Sequence, residues 1–120
     1  MKDISIKHKI WIETEDKSAS LGDGRCNLLK TIAETGSLKA AMEIHGLTYR
    51  KTWDRLNKME EMFGFQIIHR QRGGVDGGKT ELTPQGQAIV SAFSHFHDKY
   101  DPIISQGLEE TLEEIKKNTH

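Results

Sequence analysis

Cysteine occurs once in these 120 residues, proline twice, and tryptophan and tyrosine twice each. Cys26 has no intramolecular disulfide partner, and no cysteine and histidine cluster shows zinc-site spacing, so Cys26 reads as a small buried hydrophobe. Long apolar runs are missing too. Nothing approaches the roughly 18 residues that span a bilayer. The start, Met1-Lys2-Asp3-Ile4, has neither the apolar segment nor the cleavage site of a secretory signal. The expectation is a cytoplasmic chain without membrane contact. Its length suits a single domain, taken as 1–120, and is too short for two.

Catalytic signatures are equally scarce. No nucleophile and base pair, metal triad or cofactor fingerprint is present, so neither an enzyme nor a cofactor is expected. The glycines between positions 73 and 78 suggest a phosphate cradle, but they lack the Gly-Lys-Ser/Thr ending and the preceding buried strand of a nucleotide-binding loop. His95 and His97 are two apart, which on a helix turns them about 200° from each other, and such a pair cannot share a metal ion. His45, His69 and His120 read as surface or hairpin residues, and no metal is expected.

An excess of charge of one sign is also lacking, since the net charge is -1. That figure hides an uneven distribution. Between positions 37 and 80, eight Lys and Arg stand against five Asp and Glu, whereas between 98 and 117 six acids stand against three bases. The basic middle is therefore the candidate surface for a polyanion.

The alternation of Ile4, Ile6, Ile10 and Ile12 with Lys7, Lys9 and Trp11 predicts a half-buried strand. Positions 17–24 are polar with two glycines and read as a loop, with Asp23 placed to cap a helix that runs to about Thr35. Leu28, Leu29, Ile32 and Ala33 form its expected core face, and Gly36 stops it. Ser37 caps a short second helix with small Ala40 and Ala41, ended by Gly46. Thr48 caps a third helix to about Met62, in which Tyr49, Trp53, Leu56 and Phe63 make the apolar stripe opposite Arg50, Lys51, Asp54, Arg55 and Lys58. Trp53 reads as core rather than as a platform for stacking bases. A hairpin with a glycine-rich tip follows, then Thr83-Pro84 as a helix start. Ile89, Phe93, Phe96, Tyr100 and Ile103 recur at coiled-coil intervals. Asp101-Pro102 interrupts that helix, with Asp101 as cap of a final helix carrying Leu108, Leu112 and Ile115.

The order strand, helix, helix, tight turn, helix, hairpin, helix is that of a winged helix-turn-helix, an α+β class that is mainly helical. The hairpin is the wing, and positions 84–117 form a helical dimerisation segment through Ile89, Phe93, Phe96, Tyr100, Ile103, Leu108 and Leu112. The third helix is the candidate for reading the major groove of double-stranded DNA. Arg50 is placed to pair with guanine O6 and N7, Thr48 or Tyr49 with a phosphate or a thymine methyl, and Arg55 and Lys58 nearer the backbone. Lys51 shares the first turn with Arg50, and Lys39 joins the set from the second helix. Arg70, Arg72 and Lys79 flank the glycine-rich tip, placed to grip phosphates or enter the minor groove. A homodimer predicts a palindromic operator. A winged helix can instead dock another protein without touching DNA, and the basic third helix favours DNA over that alternative.

Several of these residues also carry a resemblance. Gly24-Arg25 with Leu28-Leu29, Gly36-Ser37, Ala40-Ala41, Gly46-Leu47-Thr48-Tyr49-Arg50-Lys51 with Trp53-Asp54, the double-glycine hairpin and Leu82-Thr83-Pro84-Gln85-Gly86 together resemble the amino-terminal domain of ModE-type molybdate-responsive regulators, and the fold is similar to the LysR-type DNA-binding domain. The resemblance covers about positions 23–86. It implies a dimeric transcriptional regulator whose recognition helix and wing contact operator DNA, a role that carries over to Ser37, Tyr49, Arg50, Lys51 and the hairpin bases. Members add carboxy-terminal oxyanion-binding domains, for which nothing remains after the helix near Lys117. The expectation is a stand-alone regulator that takes its signal from a partner or the dimer, and a small oxyanion effector is left open.

Overall fold

In the computed structural model, which describes residues 2–70 and 79–119, three glycines in the left-handed conformation punctuate the first half of the chain. Gly36 (φ 65°), Gly46 (φ 64°) and Gly64 (φ 77°) close helices α1 (Asp23–Thr35), α2 (Leu38–His45) and α3 (Tyr49–Phe63). A side chain at such a φ is strained, so each glycine gives its helix a sharp end. Before α1 lies an antiparallel hairpin of β1 (Trp11–Glu13) and β2 (Ser20–Gly22). After α3 come β3 (Ile68–Arg70) and β4 (Thr80–Leu82), paired Ile68 to Leu82 and Arg70 to Thr80, then the 35-residue α4 (Pro84–Asn118). The helical winged helix-turn-helix and its long final helix are both present.

The core is made where α1 packs on α2, β4 and the start of α4. Leu21, Leu28, Leu29, Ile32, Ala41, Leu56, Met59 and Ile67 are buried there almost completely. Thr83 fastens the wing to α4: its hydroxyl donates to the Gln66 carbonyl at 2.6 Å and accepts from the Gly86 amide at 3.0 Å. A Cβ at Gly86 would press into the Ile67 carbonyl oxygen, so only glycine lets α4 approach this closely. From the other side, the Glu60 carboxylate accepts from the Ile67 amide at 2.8 Å and joins α3 to the entry of β3.

Several expectations are corrected. The strand read through Ile4, Ile6, Ile10 and Ile12 shrinks to Trp11–Glu13, because a ladder extends only as far as its partner, and that partner is the three-residue β2 inside the stretch read as a loop. All three residues of β1 are exposed, although Ile6, His8 and Ile10 keep the alternating burial. Gly22, not Asp23, is the N-cap of α1, and the Asp23 carboxylate is instead held by His97 of α4. Ala33 is exposed. The buried face of α3 is Thr52, Leu56 and Met59, rotated from the expected stripe: Trp53 and Phe63 pack partly against the core, and Tyr49 is 65% exposed. His45 is half-buried and bonded to the Thr31 hydroxyl at 2.8 Å.

The largest correction concerns Pro102, which lies inside an unbroken α4. A proline within a helix removes one amide donor, yet the Asp101 carboxylate engages His97 one turn back rather than capping a new helix. Ile89, read as part of the dimer seam, is 8% exposed and belongs to the chain's own core together with Val90. Phe93, His97 and Asp101 still touch the body; beyond them α4 projects, and the overall extents are 65 × 29 × 26 Å.

Candidate nucleic-acid interface

The helix-turn-helix is built from local bonds. The Ser37 hydroxyl accepts from the Ala40 amide at 3.0 Å and starts α2, and the left-handed Gly46 turns the chain. The Thr48 hydroxyl then accepts from the Lys51 amide at 3.1 Å and starts α3. These caps satisfy amide groups that the first turn of a helix leaves bare. They also fix where α3 begins, and so which side chains occupy its first turn.

That turn is open. Thr48, Tyr49, Arg50 and Lys51 are all exposed, no acid lies in the first turn of α3, and neither Arg50 nor Lys51 forms an ion pair among the described residues. Tyr49 is oriented by an edge-to-face contact with Trp53, ring centroids 6.1 Å apart. The positive end of the helix dipole adds to the two free cations. Further along, Lys58 is paired with Asp54 at 3.2 Å, so its charge is partly compensated. Arg55 is half-buried and lines a shallow depression with Arg25, His45 and Trp11. Lys39 is exposed near the start of α2, and Ser37 is half-buried by its capping role.

The wing is anchored beside this surface. The Thr80 amide donates to the Gly36 carbonyl at 3.0 Å, so β4 is bonded directly to the turn between α1 and α2. Lys79, exposed, pairs with Glu81 at 3.1 Å. Arg70 sits on β3 opposite Thr80, while Arg72 and the glycine-rich tip lie outside the described residues. Two residues went unassigned in the sequence. Arg25 donates to the Ser20 hydroxyl at 2.5 Å beside Arg55, and Ile44 is 66% exposed at the end of α2. A helical count places Arg25 in the first turn of α1, but nothing local brings it next to Arg55, thirty positions away.

Of the expected dimer residues, Ile89 is core and Phe93 packs partly against it. Phe96 meets the Tyr100 ring at a tilt of 41°, centroids 4.9 Å apart. Tyr100 and Ile103 are exposed, Ile103 by 62%, and Leu108 and Leu112 are half-buried on the projecting part of α4 with Ile115 exposed beyond them. Cys26 is buried and its thiol pKa is pushed up by that burial, which agrees with a packing role.

A basic, open first turn on the second helix of the motif, with a wing fixed beside it, defines the winged helix-turn-helix class. The chain belongs to the bacterial regulatory helix-turn-helix proteins of the lysR family, which match residues 25–87. Within that class it is 31% identical over 100 residues to the molybdenum transport protein ModE of Azotobacter vinelandii, covering 83% of this chain and 37% of that protein. It is 34% identical over 79 residues to the molybdenum-pterin-binding protein MopB of Rhodobacter capsulatus, covering 66% and 29%. With the DNA-binding transcriptional dual regulator ModE of Escherichia coli (strain K12) it shares 33% over 69 residues, covering 58% and 26%. The chain thus spans between 26% and 37% of the length of these three relatives. No helix among the described residues is long and apolar enough to cross a membrane.

Proposed function

We propose that this chain is a transcriptional regulator that binds double-stranded DNA sequence-specifically as a homodimer, acting by binding rather than by catalysis. The observation that carries the reading is the first turn of α3, where Tyr49, Arg50 and Lys51 stand exposed, with both cations unpaired among the described residues. A helix end of this kind fits the major groove, where an arginine fork matches guanine O6 and N7. Thr48 and Tyr49 are placed against phosphate or a thymine methyl. Ser37, Lys39 and Arg55 lie toward the backbone, and Lys79 with the hairpin bases Arg70 and Arg72 serves the flanking groove. The relative from Escherichia coli (strain K12) named as a DNA-binding transcriptional dual regulator supports the same reading.

The projecting part of α4 supports the dimer. Tyr100 and Ile103, and after a step of five Leu108, Leu112 and Ile115, recur at intervals of three and four, and apolar residues so placed on a projecting helix are covered by a second copy in a two-fold pair. Two recognition helices related by that axis read a palindrome with half-sites roughly 34 Å apart.

The test is fluorescence anisotropy with duplexes from upstream of the protein's own gene and its neighbours, against a scrambled duplex, across a salt series. Tight binding to one duplex that weakens steeply with salt is the expected result. Equal binding to scrambled DNA overturns sequence specificity, and no binding at low salt moves the function to a protein-docking module. Because two of the relatives are named for molybdenum, molybdate added to the same titration tests for an oxyanion effector.

A further inference from the structure

The amino-terminal segment, the start of α1 and the middle of α4 meet around His97. Its Nδ1 faces the Asp101 carboxylate at 2.8 and 3.0 Å, and its Nε2 faces Asp23 at 2.6 Å. The same Asp101 oxygen receives His8 Nε2 at 3.1 Å, from the amino-terminal segment. One ligand atom from each of His8, His97 and Asp101 lies within 4.8 Å of the other two, the one such group among the described residues. These side chains are partly shielded, at 23%, 28% and 40% exposure.

We propose that His8, His97 and Asp101 form a site for a divalent transition-metal ion, with zinc(II) as the best-matched ion, which ties the amino-terminal segment to α4. Two neutral imidazole nitrogens and one carboxylate oxygen form a donor set that suits zinc and its neighbours rather than calcium or magnesium, which take oxygen ligands. Metal-to-ligand bonds of about 2.0–2.1 Å put adjacent tetrahedral ligands about 3.3 Å apart. The observed edges of 2.8 and 3.1 Å therefore open by at most about 0.5 Å on binding. His97 and Asp101 lie one helical turn apart on α4, a spacing that places two ligands on one face.

Asp23 strengthens the assignment. A ligating histidine normally donates its second ring N–H to a carboxylate, which fixes the tautomer and makes the ligand nitrogen more basic. With Nδ1 on the metal, His97 Nε2–H donates to Asp23 with no movement of the ring. Binding displaces the proton that Nδ1 of His97 shares with Asp101, which leaves to solvent, and His8 ligates through Nε2 as the tautomer protonated at Nδ1, its Nε2 proton exchanged through solvent. Three protein ligands leave further positions for water, so the ion exchanges rather than being built in. The expectation of no metal rested on His95 with His97; the ligands that meet are His8 and Asp101, 93 positions apart.

The experiment uses the full, untagged chain stripped of metal by chelator and titrated with zinc chloride by calorimetry and with cobalt(II) chloride by visible absorption. It does not depend on DNA binding. One zinc per chain is expected, with a thermal midpoint that rises with zinc. The cobalt bands should have the intensity of four or five ligands, without the charge-transfer band that Cys26 would give. His8→Gln and Asp101→Asn each weaken zinc at least about tenfold, and Asp23→Asn weakens it about 10- to 100-fold. His8→Gln retains the metal-free circular dichroism spectrum, because His8 lies outside every helix and strand, and His95→Gln leaves the zinc affinity unchanged. No saturable zinc uptake, uptake unchanged in His8→Gln and Asp101→Asn, or a cobalt thiolate band overturns the site.

Discussion

Arg50 and Lys79 are both basic, but the structure gives them different prospects. Arg50 stands unpaired among the described residues at the open end of α3, whereas Lys79 already holds Glu81 at 3.1 Å. In the anisotropy assay Arg50→Ala is expected to cost about 1–3 kcal/mol and to relax preference at one base pair. Lys79→Ala should weaken every duplex alike and reduce the salt slope by about 1. Equal, sequence-independent losses for both would remove the base-reading role of Arg50. A second residue-scale prediction concerns packing. Gly86→Ala drives a methyl against the Ile67 carbonyl, and urea denaturation should show a loss of about 1–3 kcal/mol. Leu28, Leu29 and Ile32 were legible as core from periodicity, which failed at exposed Ala33, and Cys26 from its lack of a partner cysteine, but Gly86 was legible only as part of a helix start. Its contact with Ile67 is a fact of tertiary approach that no local pattern carries.

The element boundaries that could be read were those set by neighbours within four residues. Ser37, Thr48 and Thr83 cap helices with their own hydroxyls, and Gly36 and Gly46 end them, as their residue types require. Asp23 failed the same logic because its carboxylate is taken by His97, 74 positions away, and β2 failed because three residues show no period. Pro102 is the sharper case. A local rule breaks the helix there, yet α4 continues, so the flanking turns outweigh the missing donor. It follows that α4 carries a removable defect. Pro102→Ala should raise thermal stability, with an upper bound of about 3 kcal/mol, and an unchanged or lower midpoint would show that the proline is accommodated without cost. Thr83→Val, which deletes both hydroxyl bonds at the wing, is expected to lose about 1–3 kcal/mol by the same measurement.

At the scale of the whole molecule, the projecting α4 exposes Tyr100, Ile103 and Ile115 on a body only 29 × 26 Å across. Ile103→Asp is expected to yield a monomer in light scattering with its circular dichroism intact, because the side chain is 62% exposed and touches no core. Operator affinity should then fall by about 10²-fold or more, the contribution of linking two half-site contacts. A dimer that survives this change would place the seam elsewhere. The helix was legible as a seam from its heptad spacing, but the share taken by the chain's own core was not, and Ile89 belongs to that share. The bond from the Thr80 amide to the Gly36 carbonyl has a consequence at this scale. Together with the bond from the Ile67 amide to the Glu60 carboxylate, which ties α3 to the entry of β3, it makes the wing and α3 two jaws of one caliper, set at a fixed gap. A caliper of that kind measures length as well as letters. One base pair inserted between the two contacts of a half-site should therefore abolish recognition as completely as the loss of either contact.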